Sequence, residues 1–85
     1  MVWYKMRKDK LVSEEGIRYV GYGVEAFSGL RRVKSIKDVS LEKGRLKKQI
    51  KVWNQCHIKL KHLDKVVEAY VENESAVEEK PYSLL

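Results

Sequence analysis

Cys56, His57 and His62 are the residues of this sequence whose types could hold a metal or carry thiol chemistry. A structural zinc needs four converging ligands, and a cysteine nucleophile needs a base that a third group orients. The spacing supplies neither. Cys56 and His57 are neighbours, which on a helix project about 100° apart and do not meet at one point. His62 falls beyond a break in the pattern, and the chain has no second cysteine. His57 instead continues the apolar series Leu46, Ile50, Trp53. The expectation is a half-buried core histidine, with Cys56 a small buried thiol. No metal, cofactor or catalytic residue is expected, and the chain does not read as an enzyme.

The other chemistry-bearing types are no more convergent. Glu14-Glu15 belongs to a turn signal, Glu78-Glu79 to an acidic end, and Asp38 precedes a helix, where it suits a local backbone partner. Gly21-Tyr22-Gly23 lies inside a strand and lacks the third glycine and following helix of a phosphate loop. Glycines placed so in a strand mark a bulge or the close approach of another backbone.

The basic residues carry the stronger signal. The net charge of +6 is uneven: 16 lysines and arginines stand against six acidic residues through Leu63, and two against six from Asp64 on. A basic body suggests a polyanionic partner or an acidic protein surface. With Leu46 at the centre of a buried stripe, 100° steps put Lys47, Lys48 and Lys51 on the opposite, solvated side of a helix. Lys43 and Arg45 flank them, Arg31 and Arg32 come before the helix, and Lys59 and Lys61 after it. Together these form a candidate basic binding surface, since phosphate contacts require only such charges at suitable spacing. A lysine-rich outer face also keeps a helix in solution. The next helix carries Asp64, Glu68 and Glu72, which phosphate would repel, so the pair does not read as helix-turn-helix.

These residues need elements to position them, and 85 residues allow one domain. Trp3 to Val12 lacks a helical stripe and reads as a strand; Glu14-Glu15-Gly16 is a turn. Ile17 to Phe27 is a second strand, with Val20, Tyr22, Val24 and Ala26 on one face at period two, and Tyr19 sharing the glycine face. Ser28-Gly29 turns the chain into a short charged third strand, Arg32 to Lys37, fit for an exposed edge. Ser40 is the expected N-cap of a helix from Leu41. A break near Ile58-Lys59 precedes a second helix, about Lys61 to Asn73, with Leu60, Leu63, Val66, Val67, Tyr70 and Val71 on one arc. The predicted fold is α+β: a three-stranded antiparallel β-meander packed by two C-terminal antiparallel α-helices. Residues 1–73 form the single domain and 74–85 an acidic, loosely held tail.

No apolar run approaches the ~20 residues that span a bilayer, so no membrane partner is expected. Met1 to Lys5 has no signal-peptide core, and a single cysteine fits a reducing compartment, so the expected location is cytoplasmic.

Tyr22-Gly23-Val24-Glu25, Ile36-Lys37-Asp38-Val39-Ser40, Asn54-Gln55-Cys56 and His62 through Val71 together suggest a relationship. This set resembles a family of small uncharacterised proteins of Gram-positive, mainly clostridial, bacteria, known as a domain of unknown function. The resemblance covers roughly Tyr22 to Val71 in short pieces. It departs at Ala69 and Tyr70, where the family tends to carry a second acidic residue. It implies a bacterial or prophage origin and a binding role with no reaction attached.

The functional expectation is a small non-enzymatic regulatory or adaptor protein that acts by binding another protein, with an inhibitor of a bacterial system as a special case. The alternative is nucleic-acid binding through the basic outer face of the first helix. An exposed sheet edge or the second helix could also seat a second copy of the chain.

Overall fold

Three consecutive strands, β1 (Val2–Val12), β2 (Arg18–Ser28) and β3 (Arg31–Ser40), pair antiparallel in the order β1-β2-β3 in the computed structural model. The structure describes the backbone of residues 1–83 and the side chains through Glu74. Each strand follows from alternation. Tyr4 of β1, Val24 and Ala26 of β2 and Ile36 of β3 turn to one face, while Trp3, Arg7, Gly23, Glu25 and Phe27 turn to the other.

The first face is covered by helix α1 (Lys43–Gln55) and, after a short 3-10 turn at Leu60–His62, helix α2 (Leu63–Ser83). α1 lies over β1 and β2, and α2 lies beside β3. Leu46, Ile50 and Trp53 of α1 and Leu63, Val67 and Tyr70 of α2 join Tyr4, Val24, Ala26 and Val39 in one apolar core. Trp53 and Tyr70 meet edge to face, with centroids 6.1 Å apart. The α+β meander with two C-terminal helices is therefore as the patterning predicts.

The sheet outruns its cover. Of the predicted apolar face of β2, Val24 and Ala26 are buried but Val20 is 38% exposed. The hairpin end of β1 and β2 extends past the helices, so alternation there has nothing to pack against. β3 is longer than the predicted 32–37 because an irregularity carries it on to Ser40. Tyr22 pairs with Ser40 while Val24 pairs with Ile36, so residues 37–39 bulge against Gly23 alone, with Asp38 at φ 54.

Gly23 is what permits the bulge. A Cβ there would stand 2.1 Å from the carbonyl oxygen of Ile36. The close backbone approach expected of these glycines is thus real at Gly23.

Two helix boundaries differ from expectation. Glu42, not Ser40, is the N-cap of α1, and it makes no side-chain cap. Ser40 Oγ accepts from the Glu42 amide at 2.9 Å and donates toward the Glu74 carboxylate at 3.1 Å, so it serves the strand-to-helix corner. α2 continues past Asn73 because Glu, Ala, Val and Lys follow, with neither glycine nor proline before Pro81 to end it. The segment expected as a tail from residue 74 is thus helical through Ser83, while Leu84 and Leu85 lie outside the described residues.

Gly23→Ala should destabilise the protein by about 1–3 kcal/mol in urea unfolding, because the clash is with backbone and the bulge must open. Gly44→Ala, which meets nothing within 4 Å near the start of α1, should be neutral or stabilising by up to about 1 kcal/mol. Equal effects at the two positions would contradict this account of the bulge.

Candidate functional site

α1 owes its place on the sheet to Asn54. The Asn54 carboxamide accepts the Tyr4 amide at 2.7 Å and donates to the Tyr4 carbonyl at 2.9 Å. Those groups point away from β2, at the free edge of β1. Asn54 thus makes the two bonds that a neighbouring strand would make. The Tyr4 hydroxyl donates to the Ile58 carbonyl at 2.5 Å, tying the segment after α1 to the same strand.

Between α1 and the β1 edge runs an open groove of ≈ 990 Å³. Tyr4, Met6 and Ile50 give it an apolar floor, and Lys5, Lys47, Lys48 and Lys51 line it as well. Lys48 also lines a second groove, between α1 and α2, together with Arg45, Trp53 and Tyr70. The outer face of α1 is therefore a basic crest between two grooves.

This geometry brings together only part of the predicted basic surface. Arg45, Lys47, Lys48 and Lys51 gather along the crest, and Lys43 opens the helix. Arg32 is drawn off: its guanidinium meets Glu25 at 3.1 Å on the sheet face opposite the helices. Arg31 pairs with Ser28 at the end of the sheet, and Lys59 lies near Val2 past the end of α1. Lys61 sits in the 3-10 turn before α2.

Cys56 and His57 are both exposed, which corrects the expected buried thiol and half-buried core histidine. The reason lies in the helix end. Cys56 is the C-cap, and His57 takes φ 53. The His57 amide then reaches the Asn54 carbonyl and the Ile58 amide the Trp53 carbonyl, both at 3.2 Å. This is the double bond pattern of a Schellman ending, and it turns His57 off the apolar stripe. Among the described residues, no three His, Cys, Asp or Glu side chains form a metal-binding group.

The open sheet face is largely self-satisfied. Arg7 holds Asp9 at 2.6 Å and also donates to Ser35 across the central strand. The hydrogen bonds from Arg7 keep the Asp9 carboxyl below its usual range. Trp3 stacks on Phe27 at 4.5 Å and donates to the Gly29 carbonyl. Tyr19, which shares this face with the glycines, donates to Asp38 at 2.9 Å, and that bond raises its pKa. Burial raises those of Tyr4 and Tyr70, with Glu74 a further cause at Tyr70. The buried Tyr70 hydroxyl finds no hydrogen-bond partner among the described residues.

Comparison of the chain with family models, with curated proteins and with solved structures finds no match. No helix of the described residues is long and apolar enough to cross a membrane.

Asn54→Ala should cost about 1–3 kcal/mol, since it strips two partners from a half-buried backbone. Amide exchange at Tyr4 should accelerate in that variant; an unchanged rate would show that the pairing contributes nothing. The raised pKa values of Tyr4, Tyr19 and Tyr70 favour their neutral forms in the fold. Their contribution to stability should therefore be complete below the ordinary tyrosine value of 10.0 and be lost as pH climbs through the higher folded values. Stability that is flat well above that pH would refute this.

Proposed function

We propose that this protein is a small non-enzymatic regulatory or adaptor protein that works by binding another protein. The observation that carries the reading is the groove between α1 and the β1 edge. It combines an apolar floor with a lysine border beside a strand whose outer edge, beyond Tyr4, has no strand partner among the described residues. Apolar floors with polar borders suit protein partners, whereas phosphate backbones need charge alone. Occlusion of an acidic surface on a bacterial target fits the same geometry. A cytoplasmic setting belongs to this reading, supported by an exposed free thiol that a reducing compartment would preserve.

Nucleic-acid binding is the second reading, favoured by the crest of Arg45, Lys47, Lys48 and Lys51 on α1. The two separate by salt. Protein binding over an apolar floor should persist at moderate ionic strength. Phosphate binding through three lysines should show a slope of log K against log salt of about −3. We expect native affinity capture to recover a protein partner, and Lys47→Glu, Lys48→Glu, Lys51→Glu to weaken that capture. Recovery of no protein, with oligonucleotide shifts that collapse on adding salt, would overturn the first reading in favour of the second.

A further inference from the structure

Tyr4 fixes the phase of the exposed strand edge. Its amide and carbonyl both point outward to Asn54, and the β1–β2 register runs without a shift from Val2↔Ser28 to Val12↔Arg18. Backbone groups in an antiparallel strand alternate in direction, so Met6, Lys8, Lys10 and Val12 also point theirs outward. Among the described residues, none of these outward groups has a backbone partner from outside the sheet. Asn54 satisfies the edge at one place and, among the described residues, leaves the next four open.

On the helix-facing side, the charge around this edge has one sign. The side chains of Lys8 and Lys10 lie on the helix-facing side and are exposed, in phase with Tyr4 and Met6. Lys47, Lys48 and Lys51 line the groove from α1. Among the described residues, none of these five ammonium groups is paired with a carboxylate. Resting on the protein-binding reading, we infer that the partner presents an extended, acidic segment that adds to β1 as a fourth strand. It begins beside Asn54 and runs along Met6 to Val12.

The pleat then dictates the segment's pattern. Residues of an added strand face their opposite numbers at period two, with side chains about 5 Å apart. An apolar side chain belongs opposite Met6, over the groove floor. Acidic side chains belong opposite Lys8 and Lys10, on the same face. A second copy of this chain does not fit the edge. Antiparallel pairing of β1 with itself places lysine against lysine around Lys8 and Lys10, and like charges directly opposite destabilise a sheet.

The test uses the whole protein, labelled with nitrogen-15, and a ten-residue synthetic peptide that carries, at alternate positions on one face, valine to lie opposite Met6 and glutamates to lie opposite Lys8 and Lys10, with threonine between them. Binding should slow amide exchange at Met6, Lys8 and Lys10 and leave Lys5, Arg7 and Asp9, already turned toward β2, unchanged. N-methylation of the alternate peptide amides that face β1 should abolish binding, and methylation of the other set should not. Replacing the glutamates with glutamine should weaken binding about tenfold, as expected for several surface charge pairs lost together. Lys8→Pro removes one outward amide without breaking the β2 ladder and should weaken binding about tenfold more than Lys8→Gln, which keeps the amide.

Equal loss from both methylation patterns, or no slowing at Met6, Lys8 and Lys10 with millimolar peptide, overturns the proposal. So does displacement of the peptide by an oligonucleotide that itself protects α1 rather than β1, or a β1-paired dimer in native mass measurements. If a captured protein partner instead protects amides along α2, the protein-binding reading survives while the strand-addition proposal fails.

Discussion

The carboxamide of Asn54 takes both backbone groups of Tyr4, while the Tyr4 hydroxyl reaches on to the Ile58 carbonyl. Residues fifty or more positions apart are joined there by three hydrogen bonds at one strand position. Apolar packing alone would let α1 slide or rotate over β1, because dispersion and burial have little direction. A carboxamide bound on both sides by backbone has one geometry. It fixes the register of α1 against the strand, which in turn sets the width of the groove and the height of the lysine crest. It also fixes where the chain leaves α1, and so where α2 can begin beside β3.

That arrangement makes the two sheet faces unlike in kind. The helix face is apolar where covered and basic where the hairpin emerges. The opposite face holds several of its charges internally: Arg7 on Asp9 and Ser35, Arg32 on Glu25, and Asp38 under the Tyr19 hydroxyl. Charges already partnered have little to offer a ligand without breaking what they hold. The lysines beside α1, unpartnered among the described residues, therefore weigh more in recognition than their number in the sequence suggests.

The parts of the fold that depend on short periodicities were readable from residues alone. Val24 and Ala26 at period two, Leu46, Ile50 and Trp53 on one stripe, and Leu63, Val67 and Tyr70 on another are the core found in the structure. What depends on distant partners was not readable. Asn54 sits one residue after Trp53 and looks like any polar helix residue until Tyr4 is seen opposite it. His57 keeps the helical spacing of the stripe, but the stripe ends before it: a left-handed backbone position is a property of the helix end and leaves the apolar pattern untouched. The basic residues were legible as a set, yet their division between the crest of α1, the far sheet face and the chain's turns requires the topology. The glycine pair announced a close approach without saying that β3 would be the strand to make it.

The two tryptophans occupy opposite conditions. Trp53 is buried edge-on to Tyr70 where the helices meet, and Trp3 lies on the open face, stacked on Phe27 and 38% exposed. Emission from the molecule is thus a composite of two environments. A dry indole answers to loosening between α1 and α2, and a wetter one answers to disturbance at the start of the meander. Any event at the β1 edge is bracketed by these two chromophores, one on each side of the sheet, so the protein carries its own optical gauge of which layer has moved.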